Sequence, residues 1–162
     1  MEAEMLKRVG IIGSLAAVAM LVVSSAVPAT GHGGGHGGNS DKIRVLSTNT
    51  EEEFVDVGAP DFSLGDAFIF TSDLTKRGRL VGHTGVVCTI TSTAREESQC
   101  VGTASFRRGQ ITIQGLVAGE PDVFEFPITG GSGDYEGAEG TLVVREIPDT
   151  DPTQELLTFY LN

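Results

Sequence analysis

Tryptophan is absent from the 162 residues, cysteine occurs only twice, and aromatic residues make up 6% of the chain. With only two thiols, the fold must rest on an apolar core rather than on a disulfide framework, and a chain of this length can bury one such core. Positive charge is scarce as well: 11 Lys and Arg stand against 22 Asp and Glu, for a formal net charge of −11. A phosphate backbone or an anionic membrane surface would be repelled, so nucleic acid is an unsuitable partner. Apolar runs of the ~20 residues needed to span a bilayer are missing too. Repeats at solenoid or propeller periods are not found, nor is any amphipathic pattern long enough for a substantial helix.

What is present begins with an export pattern. Lys7 and Arg8 precede an apolar run, Val9 to Val23, which is followed by the small-residue stretch SSAVPATG. That order is a secretory signal peptide, expected over residues 1–29, with cleavage after Ala29 or alternatively after Ala26. Glu2 and Glu4 are out of place in a positive leader, which leaves Met5 as a second choice of start. No cysteine lies beside the cleavage site to take a lipid, so a bacterial lipoprotein is excluded and the expected destination is extracellular, free of the membrane once cleaved. Residues 1–29 hold two charges of each sign, so the mature chain keeps the full net charge of −11. Next comes a Gly/His-rich tether, residues 30–41, with nothing to bury. If cleavage follows Ala29, Thr30-Gly31-His32 would expose an amine, two amides and the His32 imidazole, a donor set suited to square-planar Cu(II) or Ni(II). The alternative is a plain flexible tether.

The domain proper is expected over residues 42–162. The 22 glycines suit short strands joined by tight turns. Eight segments rich in Val, Ile, Thr and Phe read as strands: 43–49, 66–74, 79–92, 98–107, 110–117, 123–129, 138–147 and 155–161. The breakers between them, such as LTKRG, TAREE and GGSGDYEG, are short enough for antiparallel neighbours. Such a chain is all-β, and an eight-stranded antiparallel up-and-down barrel is favoured because closure removes exposed edges; a sandwich is the alternative. A two-residue turn at Arg108-Gly109 would pair Arg107 with Gln110 and Phe106 with Ile111. Centring the preceding hairpin on Ala94 sets Cys88 opposite Cys100, where an exported pair is expected to oxidise; two buried free thiols are the alternative.

The segments LGDAFIFTSDL (64–74), VGHTGVVCTI (81–90), CVGTASF (100–106), ITIQGLV (111–117), ITGGSGDYEGAEGTLVVREI (128–147) and LTFYL (157–161) resemble allene oxide cyclase, in the same order and at similar spacing. The related barrels include plant dirigent proteins and bacterial ring-forming cyclases. The resemblance implies a lumen that holds an apolar substrate and enforces one conformation during ring closure. It also implies a first-strand glutamate, which in this sequence falls on Ser47, and asparagines that fall on Asn49 and Ser72. A lumenal cysteine falls on Cys88. Only Asn49 and Cys88 keep the family's residue type.

Strand alternation gives the lumenal face independently. Val45, Ser47, Asn49, Phe68, Phe70, Ser72, Val86, Ile90, Phe106, Ile111, Ile113, Phe124 and Phe126 fall on one side, nearly all apolar. Asp66, near a strand end, is the one titratable candidate on that face, and a solvated turn residue is the plainer reading for it. His83, Glu125 and Arg145 fall outside. GGSGDYEGAEG lacks the spacing and the following helix of a phosphate loop, DTDPTQE lacks the pattern of a calcium loop, and no zinc spacing or nucleophile elbow occurs. No motif asks for a cofactor.

The expected function is binding of an apolar small molecule in the lumen, with shape-steered cyclisation or isomerisation. The alternatives are a non-catalytic carrier and a structural surface module. Whether the barrel forms a homo-oligomer, and which molecule it binds, are left open by the sequence. N-terminal sequencing of the secreted protein is expected to begin at Thr30; a different first residue removes the copper or nickel site with it.

Overall fold

The structure is a computed structural model, and it describes residues 41–162. The expected signal peptide (residues 1–29) and His32 lie outside those residues, as does the expected tether apart from Asp41, which is the first residue of β1. Eight strands follow in chain order: β1 (Asp41–Val55), β2 (Ala67–Lys76), β3 (Arg79–Ser92), β4 (Glu97–Phe106), β5 (Gly109–Ala118), β6 (Val123–Gly133), β7 (Gly140–Ile147) and β8 (Gln154–Leu161). Each pairs antiparallel with its neighbours in sequence, and β1 pairs with β8, so the sheet closes into a barrel. The chain is therefore the all-β up-and-down barrel expected from its strand count.

Alternation decides what faces inward. Val45, Ile111, Ile113, Phe126, Leu142, Val144, Leu157 and Phe159 are all buried and form one cluster with Leu74 and Cys100. Phe106 packs on Phe159 and Tyr135 with ring centroids 5.9 and 5.6 Å apart, which closes one end of the barrel. Glycine makes two of the close approaches. A Cβ at Gly109 would strike the backbone carbonyl of Ser132, and one at Gly115 would come within 2.9 Å of the Phe126 ring.

Three local expectations are corrected. The β4–β5 turn is Arg107-Arg108, so Phe106 pairs with Gly109 and Ala104 with Ile111. Gly109 is needed as the first strand residue, against Ser132, rather than within the turn. The offset is even, so every side chain keeps its face. Strand β1 runs past Asn49 to Val55 because it continues along β2, with a bulge between Asn49 and Glu51. The glycine-rich stretch after Thr129 is only partly a loop: Gly130 to Gly133 extend β6 along β5.

Cys88 and Cys100 are register partners on β3 and β4 with Cα atoms 4.0 Å apart, and they form a disulfide. The bridge closes a short loop across 12 residues. Alkylation is expected to label two thiols only after reduction, read by intact mass. The Cys88→Ser/Cys100→Ser pair should unfold at lower denaturant, by about 2–4 kcal/mol if loop closure dominates.

Candidate functional site

The inward face surrounds a cavity of about 880 Å³ that opens at the end opposite the Phe106–Tyr135–Phe159 plug. Its aromatic walls come from β2 and β6. Phe68 and Phe70 stand two residues apart on one face of β2, and Phe124 and Phe126 do so on β6, their rings 5.8 Å apart and edge to face. Ile111 and Ile113 line it from β5, and Val86 and Ile90 from β3. The Cys88–Cys100 disulfide is part of the wall.

Polar groups gather where β8, β1, β2 and β3 meet. Asn49, Ser72 and Thr84 are consecutive register partners across β1, β2 and β3, and Ser47 pairs with Glu155 of β8. All five line the cavity. Ser47 and Ser72 are only 2% and 3% exposed, so their hydroxyls belong to the lumen and not to bulk water. The Asn49 amide nitrogen donates to Glu52 Oε2 at 2.8 Å, while its Oδ1 is buried and has no donor. An orphaned buried acceptor is uncommon and costs stability unless a ligand or water supplies the missing hydrogen.

Eleven of the thirteen residues placed on the lumenal face from the sequence thus come together around one cavity. Phe106 does not line it: the ring points inward but sits below the floor, in the plug. Val45 is likewise buried in the core beneath the cavity. Asp66 is neither a lumenal base nor a solvated turn residue. It is fully buried, and its carboxylate accepts from the Val57 amide (2.9 Å), the Ser63 amide (2.7 Å) and the Ser63 hydroxyl (3.1 Å). Those donors, the Val57 amide foremost, hold its pKa below the usual carboxylate value. Asp66 therefore ties down the segment between β1 and β2. His83, Glu125 and Arg145 are exposed on the outside.

Three groups at the site went unrecognised in the sequence. Phe62, on the segment Asp66 organises, leans over the mouth against Phe54 and Phe68, with centroids 5.4 and 6.0 Å away. Glu52 reaches the cavity because the bulge after Asn49 shifts the alternation by one residue, bringing Glu52 opposite Phe70. Glu155 is the carboxyl set beside the polar row. Burial pushes its pKa up, and the charge of its cross-strand partner Glu146 pushes it the same way. Among the described residues, no three His, Cys, Asp or Glu side chains gather where they could hold a metal ion.

Eight sequential antiparallel strands closed around an apolar lumen define an up-and-down barrel with an internal cavity. Residues 42–159 match the model of the allene oxide cyclase barrel like domain, and the chain belongs to that family. Among solved structures it is similar to a pyocyanin demethylase, at 27% identity and a TM-score of 0.67, over 75% of this chain and all of that one. The fold is shared with the Diels Alderase AbmU from Streptomyces koyangensis (18% identity, TM-score 0.63, 75% of this chain and 63% of that one). It is shared also with a pterocarpan synthase dirigent protein (16%, TM-score 0.59, 75% and 87%).

The raised Glu155 pKa has a signed consequence for stability. Between the ordinary glutamate value of 4.5 and the raised native one, the folded state holds a proton that the unfolded state has lost. Stability from this group is therefore complete below that interval and falls as pH rises through it. Glu155→Gln removes the cost of the buried charge, so its melting temperature should exceed that of wild type at neutral pH. The difference should close at acid pH, as read by thermal unfolding in a pH series.

Proposed function

We propose that this barrel is an exported protein that takes an apolar small molecule into its lumen and holds it in one conformation, steering a ring closure or isomerisation by shape. The observation that carries this reading is the cavity of about 880 Å³, walled by two pairs of phenylalanines and polar along one side. A space of that size is typical of small-ligand sites and at odds with a structural module whose barrel is filled by its own side chains. Apolar walls supply affinity by removing ligand surface from water, and the polar row of Ser47, Asn49, Ser72 and Glu155 supplies orientation.

Further support comes from the relatives. The demethylase named for pyocyanin matches along its entire length, and the fold recurs in a Diels Alderase and a dirigent protein, each of which acts on small molecules by name. Export is supported by the leader pattern of residues 1–29 and by a disulfide suited to an oxidising compartment. Of the glutamates that line the lumen, Glu155 is the one whose pKa burial raises. Burial favours its neutral acid, which can lend a proton to a bound molecule and recover it. A carrier is the second reading, favoured by the commitment of Asp66 to backbone amides, which leaves Glu155 as the one carboxyl paired into the polar row.

An apolar fluorescent probe should bind wild type near stoichiometrically. Ser47→Phe fills the lumen beside Glu155 and should weaken the probe by at least about tenfold, or about 1.4 kcal/mol. Glu125→Phe, on the exterior, should leave binding unchanged, with thermal unfolding confirming that both variants fold. If wild type takes up no probe, or both variants behave alike, the lumen is not a binding site. Probe binding without turnover of polyene or epoxide substrates would favour the carrier.

A further inference from the structure

We propose that the molecule this lumen takes carries a protonated nitrogen on its apolar body, as an amine or a protonated nitrogen heterocycle. The inference rests on the lumen-binding reading above and specifies the chemical class of the occupant. It starts from the charges of the lining residues. Five glutamates border the cavity, Glu52, Glu96, Glu97, Glu120 and Glu155, and no Lys, Arg or His does so among the described residues. Within a low-dielectric concavity, charges of one sign focus their field on the opening, and here that sign is negative even while Glu155 keeps its proton, since the other four glutamates supply it. The chain's net charge of −11 adds to the same field at longer range. A carboxylate-bearing ligand would enter against it.

Hydrogen-bonding capacity points the same way independently of charge. The Asn49 amide nitrogen gives one hydrogen to Glu52, while the buried Asn49 Oδ1 at the cavity wall still lacks one. The hydroxyls of Ser47, Ser72 and Thr84 can donate or accept, but this acceptor calls for a hydrogen from the occupant. A protonated N–H supplies both the donor and the positive charge, whereas a ketone, an ether or an acid anion supplies neither. Phe62 and Phe68, with ring centroids 6.0 Å apart, both line the cavity and add aromatic surface of the kind that attracts a cation.

Three probes on one naphthalene body test this: 1-naphthylmethylamine, 1-naphthylmethanol and 1-naphthoate, titrated against the full mature protein by fluorescence anisotropy at pH 7. The alcohol offers the apolar body and an uncharged donor, so the amine-to-alcohol ratio isolates the charge. The amine is expected to bind at least about tenfold tighter than the alcohol, and the naphthoate more weakly than either. In Glu52→Gln/Glu155→Gln the amine-to-alcohol ratio should fall toward one while the alcohol's own affinity holds. Raising salt from about 0.05 to about 0.5 M should weaken the amine alone. The proposal is overturned if the alcohol binds and the amine binds no tighter, if the naphthoate matches the amine, or if the ratio survives in the double variant. Binding of none of the three would instead bring down the lumen-binding reading, and this proposal with it.

Discussion

Everything in this molecule depends on the pairing of its first strand with its last. Asp41 to Thr48 hydrogen-bonds along Gln154 to Leu161, and that ladder turns an eight-stranded sheet into a ring with no free edge. An open sheet would leave two rows of backbone donors and acceptors exposed and would expose its apolar face to water. Closure also creates the site. Ser47 faces Glu155 only across the β1–β8 seam, so the polar side of the lumen is assembled from opposite ends of the chain.

A carboxyl drawn out of water is expensive, and this fold handles the buried Asp66 and the half-buried Glu155 in opposite ways. Asp66 is surrounded by donors and held ionised, so its charge is spent on fixing the segment that carries Phe62 to the mouth. Glu155 is met by desolvation and by another carboxylate, which leaves it inclined to keep its proton. The first arrangement is structural and complete. The second is unresolved, as is the bare Asn49 Oδ1 on the neighbouring strand, and incomplete polar groups inside a protein are where ligands are recognised.

Much of this was legible in the residues because strand alternation is strict. Once Cys88 is set opposite Cys100, the inward faces of β3 and β4 follow, and Phe124 and Phe126 declare theirs by spacing alone. Glu155 carried the same signal, since it stands two and four residues before the inward Leu157 and Phe159, but a charged residue at a strand start is easily assigned to solvent. Glu52 gave no such signal. A bulge inserts one residue into the count, and composition around Thr50 does not announce it. Phe62 and Asp66 were hidden for another reason: their roles depend on how an irregular segment folds back, where no period exists to be read. The two-residue error at the Arg107-Arg108 turn did no damage to the faces, because an even shift preserves them.

The plug of Phe106, Tyr135 and Phe159 gives the lumen a floor. A vessel with one opening is a queue in which the last arrival must be the first to depart. On the proposed lumen-binding reading, a newcomer cannot displace the resident from behind, so the lifetime of the occupied state is set by the resident's own contacts and by the Phe62 side of the rim. Whichever end of a molecule goes in first is also the end that meets Ile111 and Phe159, leaving its other end among the glutamates. For a molecule held as proposed, direction of travel becomes a kind of stereochemistry.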